Sequence, residues 1–200
     1  MDTVNVTLVG VGGQGIILAA DILAKTAAIS GLDVKKSEIH GMAQRGGSVS
    51  SQVRFGDKVH SPVIQAGKTD ILVAFDKLEA VRNSGLLAPG GKAVVNNAYL
   101  VPVTVSSGQQ ADIADLDSRV AAIPGLVLVD AAEIAERDVG NIRTANMVMA
   151  GALSSFCPFG EQAWLAAMEE LLSGPKAKLL EINKKAFAIG REAAAKAGKA

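Results

Sequence analysis

Val4 to Val9 alternates as a strand and ends at Gly10. The next residues read Gly10-Val11-Gly12-Gly13-Gln14-Gly15, and a helix is predicted over Gly15 to Ser30. Ile16, Ala20, Leu23 and Ala27 give that helix one apolar face, and Gly31 stops it. Val34 to Ile39 reads as a second strand. A strand, a glycine turn, a helix and a strand in forty residues make a β–α–β unit. Gly10, Gly12 and Gly15 fit the spacing G-x-G-x-x-G. In that pattern Gly10 permits a tight turn, Gly12 lets the backbone approach a phosphate, and Gly15 lets helix and strand pack closely. The turn as a whole, Gly13 and Gln14 included, would then hold a cofactor at the helix N-terminus, where unpaired N–H groups attract anions. Glu38 lies about 20 residues past the last glycine, near where a ribose-binding acid sits. The alternative is that the glycines serve packing alone. Both readings stay open at this point.

The rest of the chain fits a sheet of this kind. Apolar residues make up 49%, glycines number 21, and aromatics reach only 4%. Ala, Val, Ile and Leu dominate, as in parallel strands covered by small-residue helices. The fold expected is therefore α/β: a Rossmann-like, mostly parallel sheet with a β-hairpin insertion and a helical C-terminal segment. Its 200 residues suit a single domain, with the sheet core over 1–140 and helices over 144–196. Lys plus Arg equals Asp plus Glu, at 20 each, which argues against a nucleic-acid partner. No apolar run approaches a membrane span, and no secretory signal precedes the first strand, so the cytoplasm is the expected location. The lone Cys157 excludes an intramolecular disulfide and a four-thiolate cluster built by this chain alone. In S-F-C-P-F it reads as a buried structural thiol.

Further along, Val49 to Phe55 alternates with period two, and Gly56-Asp57 is expected to turn it into a hairpin with Val59 to Ser61. Asp70 to Phe75 reads as a buried strand, Lys77 to Asn83 as a helix, and Lys92 to Asn96 as a strand after the turn Leu87 to Gly91. Val101 to Val105 is a candidate strand. Asp112 to Ala122 is expected to be helical, Leu126 to Val129 a strand, and Ala131 to Val139 helical. Thr144 is placed as the cap of a helix through Phe156, with Met147, Ala150, Gly151 and Ser154 as a closely packing face. Helices are expected over Glu161 to Leu172 and Lys176 to Lys196.

The most chemically loaded stretch is Glu38 to Ser48, E-I-H-G-M-A-Q-R-G-G-S. An ordinary connecting loop does not need His, Gln and Arg together, and polar groups gathered on a glycine-rich loop usually face a ligand or partner. His40 could act as an acid or base, or simply hydrogen-bond within the loop. Arg45 could grip a carboxylate or phosphate, with Gly46 and Gly47 leaving it accessible. Gln44 and Ser48 flank it as further contacts to substrate or partner. Asn96 and Asn146 are candidates to line a cleft at the same end of the sheet. His60 has no role assigned. The two histidines lack metal-ligand spacing, so no metal is expected in this chain. There is no G-x-x-x-x-G-K-[ST] and no G-x-S-x-G, and no complete catalytic constellation.

Three blocks together resemble one family. They are G-V-G-G-Q-G-I at Gly10 to Ile16, S-E-I-H-G-M-A-Q-R-G-G-S-V at Ser37 to Val49, and V-R-F-G at Val53 to Gly56. Ser61 to Ile64, Pro89 to Gly91 and Asn146 to Leu153 continue the match over roughly residues 1–185. The chain is similar to the gamma-type subunit of 2-oxoacid:ferredoxin oxidoreductases, and nearest to the beta subunit of the indolepyruvate type. The resemblance implies oxidative decarboxylation of a 2-oxoacid with coenzyme A to acyl-CoA, carbon dioxide and reduced ferredoxin. It also implies that thiamine diphosphate, Mg and [4Fe-4S] clusters sit in a partner subunit, that this chain alone is inactive, and that its loops complete a site at that interface. A homodimer of the isolated chain is a further expectation. The rival readings are a stand-alone dinucleotide-binding protein or NAD(P)-dependent dehydrogenase, resting on Gly10, Gly12, Gly15 and Glu38, and a pure assembly module.

Overall fold

A computed structural model describes residues 1–40 and 47–197. β1 (Val4–Val11) leads through the glycine turn into α1 (Ile16–Ile29), and β2 (Asp33–His40) follows. The other strands are β3 (Ser48–Gly56), β4 (Thr69–Ala74), β5 (Leu87–Asn96) and β6 (Leu126–Val129). They form one sheet in the order β2-β3-β1-β4-β5-β6. β1, β4, β5 and β6 pair in parallel, whereas β3 runs antiparallel to both neighbours. The β1–α1–β2 crossover is thus split. β2 points the same way as β1, but β3 is threaded between them.

This corrects the expected hairpin. β3 does not turn back on Val59 to Ser61; it pairs with β2 from Asp33↔Gly56 to His40↔Val49 and with β1 from Val4↔Phe55 to Val11↔Ser48. The physical reason is burial. Val49, Ser51, Val53 and Phe55 all lie on the buried face of β3, and only a strand inside the sheet can cover them. The segment around Val59 forms no strand; Val59 donates its N–H to Asp33 instead. Two smaller expectations also change. β5 begins at Leu87, so the Pro-Gly-Gly stretch lies within the strand, at a register shift against β4. Val103–Ser106 is one helical turn, α3, rather than a strand.

Helices cover both faces of the parallel part. α2 (Lys77–Asn83) and α4 (Leu116–Ala121) cover one side; α1, α6 (Ala145–Ser154), α7 (Glu161–Leu171) and α8 (Leu180–Ala197) pack on the other. α5 (Ala131–Ile134) runs on into a π-helical turn, Ala135–Val139. Strand alternation feeds the two layers. Leu8, Ile71, Val73 and Val94 point to the α1 side, and Val9, Leu72, Ala74 and Val95 to the α2 side. On the α1 side Phe55, Phe159, Trp164 and Phe187 stack in series, with successive ring centroids 5.0, 6.2 and 5.6 Å apart. Most of the few aromatics are spent joining β3 to the C-terminal helices.

The α6–α8 crossing is the tightest contact in the helical layer. A β-carbon at Gly151 would meet the Phe187 carbonyl at 2.0 Å, and one at Gly190 would meet the Val148 carbonyl at 2.0 Å. Each helix needs a glycine where the other's backbone passes. Thr144 precedes α6 but does not cap it with its side chain. Its hydroxyl donates to the Asn141 carbonyl, and the Asn141 side chain accepts from Arg143 N–H at the start of the preceding 3-10 turn. Among the described residues no helix is long and apolar enough to cross a membrane. Gly151→Ala should force the two helices apart and cost about 1–3 kcal/mol. Urea unfolding of the variant beside the parent chain measures it, and an unchanged midpoint would contradict the close approach.

Candidate functional site

The carboxyl ends of β1, β4, β5 and β6 lie together, and β2 points its carboxyl end the same way. In open α/β sheets ligands bind at this rim. The glycine turn at the end of β1 is held from inside by Gln14. Its Oε1 accepts the Val11 N–H at 2.7 Å, and its Nε2 donates to the Phe75 carbonyl at 3.2 Å. That side chain folds beneath Gly10, where a β-carbon would meet Gln14 Oε1 at 2.6 Å and Phe75 Cβ at 2.9 Å. Gly10 is therefore required by the amide packed under it, and the backbone there is ordinary strand.

Gly12 makes a backbone contact as well. Its N–H donates to the Gly47 carbonyl at 2.9 Å, so the close approach made at Gly12 is to the protein's own backbone. Gly15 has φ 80°, and the position of a β-carbon is taken by the Asn146 amide, 2.5 Å away. Only glycine satisfies both conditions. Helix α1 has no side-chain cap, and its first turn opens on a cavity of about 500 Å³ lined by Gly12, Gly13, Ile16, Ile17 and Val49.

On the other side of the turn lies a smaller cleft of about 230 Å³. It brings together four of the predicted residues, Gly13, Gln14, Asn96 and Asn146, with Phe75 and Arg143. Asn96 works as a clamp. Its Nδ2 donates to the Phe75 carbonyl at 3.1 Å and its Oδ1 accepts from Ala131 N–H at 3.1 Å, tying β5 to β4 and α5. Asn146 is buried in the first turn of α6, and its amide makes no hydrogen bond with the described residues. Arg143 is exposed at the mouth of the cleft and forms no ion pair with the described residues. A guanidinium, an unpaired amide and a glycine turn facing one space suit a carboxylate, a phosphate or a partner's carbonyls. Sequence reading missed Arg143. Nothing in its local sequence separates it from a surface arginine; the 3-10 turn Ile142–Thr144, running directly into α6, places it with Asn146 at the cleft.

Glu38 stays in β2, where it accepts from Lys36 Nζ at 2.6 Å; Lys36 also reaches Asp21 on α1. β3 lies between Glu38 and the glycine turn. Ser48 opens β3 opposite Val11 and donates its hydroxyl to the buried Glu79 at 2.6 Å. Gln44, Arg45 and Gly46 lie outside the described residues, as does the side chain of His40. Cys157 is partly buried, and loss of solvation pushes its thiol up to about 12. Of the exposed large apolar side chains among the described residues, Ile17, Ile39, Leu100, Val101, Val103 and Ile142 gather at or beside the carboxyl rim.

The chain is thus a split-crossover α/β unit with a polar cleft and exposed apolar side chains around one rim. The particular family follows from comparison with known proteins. Residues 5–193 match the model of the pyruvate ferredoxin/flavodoxin oxidoreductase family, and the chain belongs to that family. It is 37% identical to the indolepyruvate oxidoreductase subunit IorB of Pyrococcus horikoshii, covering 97% of both chains. It is 36% identical to the subunit of that name from Archaeoglobus fulgidus, covering 93% of this chain and 92% of the relative. Among solved structures it resembles the keto/oxoacid ferredoxin oxidoreductase gamma subunit of Geobacter sulfurreducens. There the TM-score is 0.70 at 26% identity, over 97% of this chain and 99% of the other. The stand-alone dehydrogenase reading gives way to this family.

The Cys157 environment makes a pH prediction. The folded thiol titrates above its unfolded value, so the neutral form is the one the fold accommodates. The associated stability is complete below the unfolded thiol's ordinary pKa, about 8.5, and is lost as pH rises from there toward 12. Alkylation by iodoacetamide at pH 9 should be at least about tenfold slower in the native chain than in guanidinium. Equal rates would place the thiol in solvent.

Proposed function

We propose that this chain is the small subunit of an indolepyruvate-type 2-oxoacid:ferredoxin oxidoreductase. The enzyme would decarboxylate an aryl 2-oxoacid oxidatively, transfer the acyl group to coenzyme A, and pass two electrons to ferredoxin. The near full-length similarity to two indolepyruvate oxidoreductase subunits carries this reading.

In this proposal the chain supplies surface and positioning, and the redox groups belong to the larger partner. Its own side chains do not suit those groups. One thiol cannot ligate a [4Fe-4S] cluster, and Cys157 is held neutral by its surroundings. The Mg that accompanies thiamine diphosphate, held by one or two carboxylates and the diphosphate itself, would lie with it in the partner. Thiamine diphosphate, when bound in the partner, supplies the carbanion chemistry that removes carbon dioxide. The chain's part is at the carboxyl rim. The cleft with Arg143 and Asn146 suits an anionic group of coenzyme A or the 2-oxoacid, and the loop from His40 to Ser48 would contact the same ligands or the partner. The exposed apolar side chains around that rim would be covered by the partner subunit, as large apolar surfaces at interfaces are. The protein would work in the cytoplasm, where ferredoxin is available.

Co-expression with the cofactor-bearing subunit tests the proposal. The complex should turn over indolepyruvate with coenzyme A, and each chain alone should be inactive. Arg45→Ala in this complex should lower turnover at least about tenfold with assembly intact, as expected for loss of a charge-assisted contact. Failure of the two chains to associate would overturn the proposal, and so would activity indifferent to this chain. Full activity of Arg45→Ala would reduce the loop to an assembly element.

A further inference from the structure

One buried charge stands apart from both cavities. Glu79 lies in α2 and is 2% exposed. A carboxylate buried this deeply is costly unless its oxygens are paired. Both are. Oε1 accepts from Arg82 Nη1 at 2.7 Å, and Oε2 accepts from Ser48 Oγ at 2.6 Å. The pair with Arg82, one turn along the helix, needs no burial and would form equally well on a surface. The bond to Ser48 crosses to another element and sets the position of a particular backbone. Ser48 sits opposite Val11 in the β1–β3 register, and the carbonyl just before it, that of Gly47, accepts the Gly12 N–H.

The far end of this connection is equally fixed. Asp76 Oδ1 accepts the Leu78 and Glu79 N–H groups, and Oδ2 accepts the Leu100 N–H at 2.7 Å. α2 is therefore anchored at the carboxyl end of β4, and Glu79 projects from that anchored helix. A line of short polar contacts runs from the end of β4 through Asp76, α2, Glu79, Ser48 and Gly47 to the glycine turn.

We propose that Glu79 is a positioning residue for the oxidoreductase reaction: by holding Ser48 it sets Gly47 and the glycine turn on the rim that faces the partner subunit. This rests on the function proposed above. Glu79 acts through Ser48 and touches no substrate.

Glu79→Gln, Ser48→Ala and the double variant, each in the co-expressed complex, test it. Gln keeps one oxygen for Arg82 and turns an amide N–H toward Ser48, whose hydroxyl can then only accept, so the charge-assisted bond to Ser48 is replaced by a neutral one. Each single variant should lower kcat/KM for the 2-oxoacid about tenfold, the scale of a hydrogen bond to a charged group. The double variant should be no worse than the weaker single, because both act through one contact. In the isolated chain, amide exchange at Gly12 should quicken about tenfold in either single variant, while Val73 and Val94 in the central strands keep their rates. Additive losses in the double variant would overturn the proposal, as would unchanged Gly12 exchange. Should Glu79→Gln not fold, Ser48→Ala alone decides, since it removes the donor without touching the charge; unchanged Gly12 exchange there overturns the proposal. Omitting the whole chain separates the two claims. Activity that survives omission refutes the function, whereas the Gly12 exchange result still judges the role of Glu79.

Discussion

The pairing of β3 with β1 is the constraint on which the rest of the molecule depends. Eight consecutive residue pairs, from Val4↔Phe55 to Val11↔Ser48, place an antiparallel strand inside an otherwise parallel sheet. The register brings Ser48 and Gly47 beside Val11 and Gly12, so the start of β3 meets the glycine turn at the carboxyl rim. A slip of one residue would turn Val49, Val53 and Phe55 away from α1 and remove Phe55 from its contact with Phe159. The position of the rim and the aromatic series behind it are thus set by one ladder.

That ladder also ties the G-x-G-x-x-G turn into the protein's own contacts. In a dinucleotide-binding unit the strand after the first helix lies next to β1, and the turn's N–H groups face a pyrophosphate. Here β3 takes that place. Gly12 N–H is bonded to Gly47, Val11 N–H is bonded to Gln14, and Gly15 makes room for Asn146. Gly10 and Gly15 are each needed by a side chain packed where a β-carbon would lie. The open faces are the first turn of α1 and the cleft beside Asn146 and Arg143.

Much of this was legible in the sequence where local signals act alone. The spans of α2 and β6 coincide with their predicted ranges, because each is bounded by polar or glycine residues and carries an unambiguous apolar pattern. The strand–turn–helix start and the family resemblance of the Ser37-to-Val49 block were equally plain. What the sequence hid was long-range pairing. The alternation of Val49 to Phe55 marks a strand with one buried face, but period two does not say which neighbour covers it, and the nearby Gly56-Asp57 pointed to the wrong one. Val101 to Val105 reads as β-branched and apolar, yet Pro102 starts a helical turn there. Glu79 and Arg82 have the spacing of an ordinary surface pair; their importance comes from Ser48, far along the chain. Gln14 and Asn96 share a cleft because strand ends converge at one rim, and Asn146 joins them from the first turn of α6. Arg143 reaches the same cleft from the 3-10 turn before α6, where nothing in the sequence marks it.

The central claim is that the carboxyl rim is one half of a site completed by a larger subunit. Hydrogen–deuterium exchange of this chain, free and bound to that subunit, addresses it most directly. The account predicts protection on binding at Gly12 to Leu18, Ala98 to Val103 and Asn141 to Asn146. It predicts no change at the opposite edge of the sheet, around Asp57 to Lys68 and Gly85 to Gly91. Protection confined to that opposite edge, with the carboxyl rim exchanging as it does in the free chain, would contradict it.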